Sequence, residues 1–442
     1  MTAEATLPAD LAAPVFKRAI GQQMLVATTM GLSLTALYMF NGIQESVKAE
    51  MHFTDFQMSL IEGVAVAIPL FVCGIPVGLL VDRINRMRVL IAMTLLWVIG
   101  ALGTAWAPDL GWLFFARILA ATAGSAMLTT AVSLASDLSP PEHRGQAMQV
   151  MNVGKLIFSA AALPIGAVLV SWFIHSHPLP AWLHAPTPWR AAHIVLAAIG
   201  IVLSIILLFL REPARHEVSA GLGAPVRVVM GELWARRSYL GPLLFGQVGI
   251  LMADAAATIW ATPLLTRRFG LDPLQFAGWL ALAGLAAGVI GSILGGWAAD
   301  AGLRSGRRGG IMLGAVISSA VAIPAGLFAI MPDPATFLIG LTVLLFCGTV
   351  ASIALMAVIG SYLPNETRGL TFGGFLAFGG LVGFGVAPPL VIIVSGWMGG
   401  QGQLAPALAL VGTVISVGAF LCFIAAMRGT PLNPGEARDL AR

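Results

Sequence analysis

Charge is what this sequence has least of. Lys, Arg, Asp and Glu make up only 10% of the 442 residues, whereas hydrophobic residues make up 58% and the mean hydropathy is +0.90. Soluble globular domains carry about 25% charged residues. So few charges could not cover the surface of a water-soluble protein of this length. The composition therefore excludes a soluble fold and indicates that lipid surrounds most side chains.

Cysteine is scarce too, and the sequence signatures of catalysis are absent. The three cysteines, Cys73, Cys347 and Cys422, lie inside apolar runs, where we expect small packing residues. No phosphate-binding loop, nucleophile elbow or CxxC pair occurs, so a primary pump or a redox enzyme has no support. The histidines of segment 175–184 are expected to be solvated loop residues rather than metal ligands. We therefore predict a protein that is not an enzyme and needs no cofactor or metal.

Long apolar runs fill the space between the few charged clusters. Each run has about 18 to 28 residues, enough to cross a hydrocarbon core of about 30 Å as a helix. None shows the period-2 alternation of a barrel strand, so helix is the expected state. We predict twelve spans: 20–43, 54–81, 88–107, 110–137, 144–172, 192–210, 239–265, 274–299, 310–331, 335–362, 369–395 and 405–427.

The basic residues predict the orientation of these spans. If the N-terminus is cytoplasmic, 18 of the 24 Lys and Arg residues fall in inner segments and four fall in outer segments. This asymmetry follows the positive-inside rule. It predicts a multi-pass protein of the cell (inner) membrane with both termini in the cytoplasm. The inner loops also account for the net charge of +4, so nucleic acid is not an expected partner.

An internal repeat divides the chain. Segments 139–145 (SPPEHRG) and 363–369 (LPNETRG) share Pro, Glu, Arg and Gly at an offset of 224, and Gly78–Asp82 resembles Gly296–Asp300 at an offset of 218. Ordered matches at a nearly constant spacing indicate a duplicated unit. We predict two pseudo-symmetric six-helix bundles, 1–210 and 239–442, joined by a cytoplasmic linker, 211–238. A substrate site between such halves near the membrane midplane is a known transporter arrangement.

The motifs at these positions are similar to those of the major facilitator superfamily. The stretch Gly78–Arg88 resembles its loop motif between helices 2 and 3, Arg117 stands where a second motif places an arginine, and 139–145 resembles the element after helix 4. The resemblance implies the major facilitator fold. It also implies a conformational latch built from the acidic and basic residues at the inner helix ends: Asp82, Arg83, Arg86, Arg88 and Asp300.

A narrower resemblance concerns three shorter stretches. Segments Leu210–Arg215, Pro188–Arg190 and Gly295–Asp300 look like those of the spinster-like subfamily. This resemblance implies cargo of the lipid-like or organic-anion class.

Four ionisable residues lie inside the apolar runs: Glu62, Arg117, Lys155 and Asp254. Ionisable groups in a membrane are costly, and each suggests a function. With the repeat offsets applied, each falls on an uncharged residue of the other half: Leu280, Leu341, Gly379 and Ala36. The charges of the loop motifs, in contrast, occur in both halves. The four are therefore better candidates for the transport task than for the scaffold.

The depth and chemistry of these four residues suggest different roles. Lys155, near the midplane, is expected to bind an anionic substrate, or else to take part in a structural ion pair. Arg117 either binds substrate or pairs with Glu62 or Glu45 at the same depth. Asp254 is preferred as the proton-coupling residue, with Glu62 as a second carrier. The expected partner of Asp254 is a proton or Lys155.

Further polar and aromatic residues are secondary candidates for the substrate cavity: Tyr38, Asn41, Asn152, Gln247, Trp260 and Ser352. Ordinary hydrogen bonding inside the bundle is the alternative for each of them.

The sequence thus predicts a monomeric secondary active transporter that works by alternating access. Its cargo is expected to be a small organic anion or amphiphile, coupled to protons. One alternative is a drug-type proton antiporter for cationic or neutral lipophilic compounds. The other is a non-transporting receptor or scaffold on the same fold.

Overall fold

The computed structural model describes residues 9–139, 144–175, 187–210, 212–213, 226–363 and 365–431. Within these ranges all regular secondary structure is helical, and twelve helices are long and apolar enough to cross a membrane. They are α1 (Ile20–Met51), α2 (Asp55–Val72), α3 (Arg86–Ala105), α4 (Leu110–Ala135), α5 (Gln146–His175), α6 (Pro188–Leu208), α7 (Arg237–Phe269), α8 (Pro273–Arg304), α9 (Gly310–Ile330), α10 (Pro334–Tyr362), α11 (Thr371–Trp397) and α12 (Gln401–Gly429).

The twelve spans match the twelve predicted runs, and the two largest differences are at the inner end of α2, which stops at Val72, and at the outer end of α1. The sequence predicted an end near residue 43, but the helix continues as Phe40–Met51 and stops at His52, whose φ of 54° is left-handed. The added turns carry Glu45 and Lys48, which lower the local hydropathy. Because these polar side chains are paired with other residues, the helix extends beyond its apolar run.

Side-chain caps fix where several helices begin on the predicted outer side. The N-cap residues of α2, α4, α8 and α10 each accept hydrogen bonds from backbone N–H groups of the first turn: Thr54, Asp109, Asp272 and Asp333. The Asp333 carboxyl accepts from Ala335 and Thr336 at 3.0 Å, and these hydrogen bonds, with that of Thr336 first, lower its pKa from the ordinary value. This cap lets α9 and α10 join through a very short turn, as predicted for Met331–Pro334.

Helix α2 is irregular where it passes the centre of the protein. Residues Leu60–Val64 form one π-helical turn, and after Cys73 the chain continues inward as the helix Gly74–Arg83. A π-turn inserts an extra residue into the helix and is frequent at functional sites. Here it carries Glu62, one of the four ionisable residues.

The buried apolar side chains form two large clusters. One draws its members from Val26 to Leu207, and the other from Tyr239 to Ala426. Between them lies the linker segment, of which Val226–Ala235 is a helix. The clusters divide the chain near the predicted linker, and the assignment of two separate six-helix units stays a prediction.

Candidate functional site

A cavity of about 380 Å³ lies between residues of the two clusters. Helices α1, α2, α4 and α5 contribute to one side of it, and α7, α8, α10 and α11 contribute to the other. Its wall is mainly aliphatic, with Phe384 as an aromatic member. Six of the residues singled out from the sequence line this cavity: Tyr38, Asn41, Glu62, Arg117, Lys155 and Asp254. The four ionisable residues singled out within the apolar runs therefore all line one cavity.

Glu62 and Arg117 form a buried ion pair in this wall. Arg117 Nη2 lies 3.3 Å from Glu62 Oε2, and both side chains are 2% exposed. Arg117 Nη1 donates to the Leu37 carbonyl at 2.9 Å, and its guanidinium lies 4.4 Å from the centre of the Phe40 ring. The amide group of Asn41 lies 2.7 and 2.9 Å from the two Glu62 oxygens, and with its nitrogen turned towards them it donates to both. Of the two readings of Arg117, the structure shows the pair with Glu62.

The ion pair leaves little net charge on this wall of the cavity for binding a ligand. The carboxylate is neutralised by the guanidinium and receives two further hydrogen bonds from Asn41. Removing one partner of a buried ion pair leaves the other as an uncompensated charge, which is strongly destabilising. The pair therefore also joins α2 to α4, and its hydrogen-bond partners Asn41 and the Leu37 carbonyl add α1.

Lys155 on α5 is in a different situation. It lines the cavity, and it forms no ion pair with any residue that the structure describes. The expected pair with Asp254 is not formed, although both side chains face the same cavity. An ammonium group without a carboxylate partner at this depth is available to an anionic ligand.

Asp254 lies near the middle of the 33-residue helix α7. Its Oδ1 is buried and has no hydrogen-bond partner in the described part of the chain. The carboxyl group packs against Gly348 of α10, where an added methyl group would overlap both carboxyl oxygens. A buried carboxyl oxygen without a hydrogen-bond partner or a cation is costly, and such a group inside a membrane suggests a function.

The secondary candidates from the second half do not line this cavity. Gln247 donates to Ser352 at 2.8 Å, and the two residues join α7 to α10. Trp260 is fully buried and donates to the Pro388 carbonyl at 3.2 Å. Trp260 stands six residues after Asp254, about 120° away around the axis of α7, a difference that depth along the helix does not reveal. Gln247, Trp260 and Ser352 were predicted to line the substrate cavity, but all three lie outside its lining.

Asn152 is also outside the cavity lining. It is exposed and lies about one helical turn before Lys155, towards the predicted inner end of α5. Asn152 therefore lies on the same side of α5 as Lys155, but closer to the predicted inner end than the cavity lining.

One of the described latch residues, Arg86, forms ion pairs near the predicted inner end. Arg86 is buried and pairs with Asp137 at the end of α4 and with Glu212, the latter at 3.3 Å. Arg88 and Asp300 are exposed. The side chains of Asp82 and Arg83 lie outside the described residues. The latch therefore stays a prediction.

The sequence reasoning missed an ionic cluster at the predicted outer end. Arg267, in the last turn of α7, binds Glu45 of α1 at 2.6 Å and Asp55 of α2 at 2.7 Å. Lys48 binds the same Asp55 at 2.6 Å. Arg267 and Lys48 are two of the four basic residues that the positive-inside pattern places in outer segments. The signal in the sequence was that both lie at the same predicted membrane level as the acidic residues Glu45 and Asp55.

The outer cluster joins the two halves. Beside it, Gln44 donates to the Ile259 carbonyl at 2.8 Å, and Gly63 of α2 lies directly against the Phe384 carbonyl of α11. The hydrogen bonds of Gln44 and Arg267 join α1 and α2 to α7 at this outer end. The cavity is thus closed on its predicted outer side.

Twelve spanning helices around a central cavity with embedded charges define a multi-pass membrane protein of the transporter class. A family model described as Major Facilitator Superfamily matches residues 26–302, which is more than half of the chain. The chain belongs to this superfamily and is a membrane transporter.

Two relatives add detail. The 3-(3-hydroxy-phenyl)propionate transporter of Escherichia coli is 26% identical over 375 residues, covering 84% of this chain and 78% of that protein. The chloramphenicol resistance protein of Streptomyces lividans is 30% identical over 177 residues, covering 39% and 41%.

Solved structures show the same fold. A bacterial homologue of the human lysosomal transporter Spinster, in an inward-facing and unoccupied conformation, has a TM-score of 0.74 at 18% identity and covers 96% of this chain and 97% of that one. The fucose:proton symporter of E. coli has a TM-score of 0.53 at 16% identity, with coverage of 91% and 99%. These likenesses confirm the predicted fold class.

Proposed function

We propose that this protein is a secondary active transporter for small organic anions with an apolar body, and in particular for aromatic monocarboxylates. The observation that carries the proposal is Lys155, a cation without an ionic partner among the described residues, in a cavity whose wall is mainly aliphatic. The ammonium group would bind the carboxylate, and the surrounding side chains would bury the apolar body. A few placed polar groups in an apolar pocket are typical of ligand sites.

The size of the cavity and one relative support this substrate class. A volume of about 380 Å³ falls in the range of small-molecule sites. The relative that matches 84% of this chain is named as a transporter of 3-(3-hydroxy-phenyl)propionate, which is an aromatic monocarboxylate. Cargo of the same chemistry would fit an unpaired lysine beside Phe384.

Alternating access is supported by where the halves touch. Arg267, Glu45 and Asp55 close the outer end, so the conformation fits an inward-facing state with the termini in the cytoplasm. Breaking this cluster while closing the inner end would expose the same cavity to the other side. This movement is the expected rocking of two bundles about a central site in the cell membrane.

Proton coupling would use Asp254. Its buried carboxyl without a cation is expected to bind a proton when the cavity is dry and to release it when water or a cation enters. Because Asp254 and Lys155 line the same cavity, the loss of one charge changes the electrostatic environment of the other.

Ligand-induced thermal stabilisation of the purified protein tests the substrate class. A panel of aromatic carboxylates, lipophilic cations and lysolipids is measured on wild type, Lys155→Met and Lys155→Arg. We expect aromatic carboxylates to stabilise wild type, to stabilise Lys155→Arg weakly and to leave Lys155→Met unchanged. Equal stabilisation of wild type and Lys155→Met by carboxylates would contradict the proposed role of the lysine.

Proton coupling is tested in proteoliposomes by measuring the uptake and the efflux of an aromatic carboxylate. We expect an imposed pH gradient to drive transport in wild type and to have no effect in Asp254→Asn, which still exchanges substrate down its own gradient. Transport that follows the membrane potential but never the pH gradient would remove proton coupling from the proposal.

A drug-type antiporter is a second candidate. It is favoured by the 30% identity to a chloramphenicol resistance protein over 177 residues and by the two carboxyl groups in the cavity, Glu62 and Asp254. Stabilisation by lipophilic cations or chloramphenicol, but not by carboxylates, in the thermal panel would favour it.

A further inference from the structure

Hydroxyl groups inside the helices of this protein usually bond to their own backbone. Thr94, Thr104 and Thr130, for example, each donate to the carbonyl four residues earlier, at 2.7 to 2.8 Å. This back-bonding satisfies a hydroxyl where no water is present.

Three threonines of α7 depart from this rule, and two of them, Thr258 and Thr262, line the cavity. In the described ranges, neither Thr258 nor Thr262 forms a hydrogen bond with another residue, and both line the cavity. Thr262 is 2% exposed and belongs to the cavity wall, and Thr258 is exposed towards the cavity. A hydroxyl that is desolvated and left unpaired is costly, and one that faces a ligand site can regain the hydrogen bond from the ligand.

The spacing of these residues places them in a row. Asp254, Thr258 and Thr262 stand at i, i+4 and i+8, which is one face of a helix. Thr262 lies about one turn inside Arg267, at the closed outer end, whereas Asp254 lies near the middle of α7. The hydroxyl row therefore extends from the charged centre of the cavity towards its closed end.

We propose that Thr258 and Thr262 form a subsite for an uncharged hydroxyl group at the apolar end of the substrate, at a distance from the carboxylate bound by Lys155. The inference rests on the proposed function, since it assigns the selectivity of the same cavity. The transporter would then prefer hydroxylated aromatic acids to the same acids without the hydroxyl. A site that offers hydrogen bonds to a substrate hydroxyl rejects the analogue that lacks it, because its own polar groups stay unpaired.

A matched pair of acids tests this subsite, namely 3-phenylpropionate and 3-(3-hydroxyphenyl)propionate. Their apparent Kd values are measured by ligand-dependent thermal shift on wild type and on the Thr258→Val, Thr262→Val double variant. Valine keeps the shape and removes the hydroxyl. We expect wild type to bind the hydroxylated acid about 5- to 10-fold more tightly, the factor of one neutral hydrogen bond, and the double variant to lose this preference.

Two further variants serve as controls. Thr266→Val removes a buried hydroxyl on the same helix that has no hydrogen-bond partner and does not line the cavity, so the preference should stay. Thr262→Ser keeps a hydroxyl and should also keep the preference for the hydroxylated acid. This variant can still be measured if the valine variant does not fold.

The outcomes separate the two levels of the proposal. If both acids bind wild type equally, or if the double variant keeps the preference, the hydroxyl subsite is wrong and the anion transporter stands. If neither acid binds wild type while cations or lysolipids do, the proposed function and the subsite both fail.

Discussion

On the α1–α2–α4 side of the cavity, Glu62 and Arg117 neutralise each other and are held by Asn41 and the Leu37 carbonyl. On the α5 and α7 sides, Lys155 and Asp254 line the same cavity without an ionic partner among the described residues. All four looked alike in the sequence, as single charges in apolar helices. The structure shows that Glu62 and Arg117 neutralise each other, whereas Lys155 and Asp254 are left to interact with a ligand or a proton.

This difference bears on what each charge contributes. A buried pair with good geometry is a structural element, and its energetic weight appears when one member is removed. An unpaired charge in a membrane is unfavourable for stability, so its presence is explained by function. Stability measurements should therefore respond to the first pair and transport measurements to the second.

The largest effect is expected from Arg117→Ala. Because Glu62 is then a buried carboxylate without its cation, we expect the free energy of unfolding to fall by about 3–5 kcal/mol. Thermal unfolding and expression of the purified protein measure this loss. The double variant Glu62→Leu, Arg117→Leu should recover most of it, and an Arg117→Ala protein as stable as wild type would show that the pair is not structural.

Lys155→Met is expected to act on transport instead. Loss of a hydrogen bond to a charged group should lower kcat/KM for an aromatic carboxylate about 10- to 100-fold. The unfolding temperature should stay equal or rise, because an unpaired charge has been removed. Proteoliposome uptake and thermal unfolding are measured on the same preparations. A Lys155→Met protein that unfolds as readily as Arg117→Ala would remove the distinction between the two groups.

Gly348→Ala should have an intermediate effect. The new methyl group overlaps the Asp254 carboxyl, and such overpacking costs about 1–3 kcal/mol in the free energy of unfolding. Adding Asp254→Ala should restore stability, since the overlapping atoms are gone. Gly360→Ala is the control on the same helix, because no atom lies within 4 Å of the added carbon. Destabilisation that persists without the Asp254 carboxyl would contradict this packing.

Arg267→Ala should change stability least, by less than about 1 kcal/mol, because its side chain and that of Glu45 are about one quarter exposed. It should instead open the outer end, so that a cysteine at Ala261 in the cavity wall reacts faster with an impermeant maleimide added outside. Arg268→Ala is the matched control, since Arg268 bonds carbonyls of its own half, at Ala329 and Ile330.

The labelling requires a background in which the accessible native thiols, Cys73 and Cys422, are replaced by alanine. Cys347 is fully buried and can remain. Equal labelling of the Arg267→Ala, Arg268→Ala and parent proteins would show that the outer cluster does not control access.

The sequence alone was sufficient for the twelve spans and for the four charges that line the cavity. Both follow from local physics: a run of apolar residues has a length that can be compared with the bilayer, and an ionisable residue inside such a run is costly wherever it points. The repeat added the expectation of a site between the halves, which stays a prediction, and the four charges line one cavity. The short turn before α10 also follows from the local sequence, because Asp333 caps the helix and Pro334 suits its first position.

Only the tertiary structure decided which charges are paired. Glu62 could reach Arg117, and Lys155 could have reached Asp254, but the first pair forms and the second does not. Pairing depends on the rotation of each helix about its axis and on packing between distant residues, neither of which is encoded in local hydropathy. The same reason explains why Trp260 faces away from the cavity and why Arg267 closes the outer end. The number of crossings is a property of the chain, whereas the site is a property of how the helices pack.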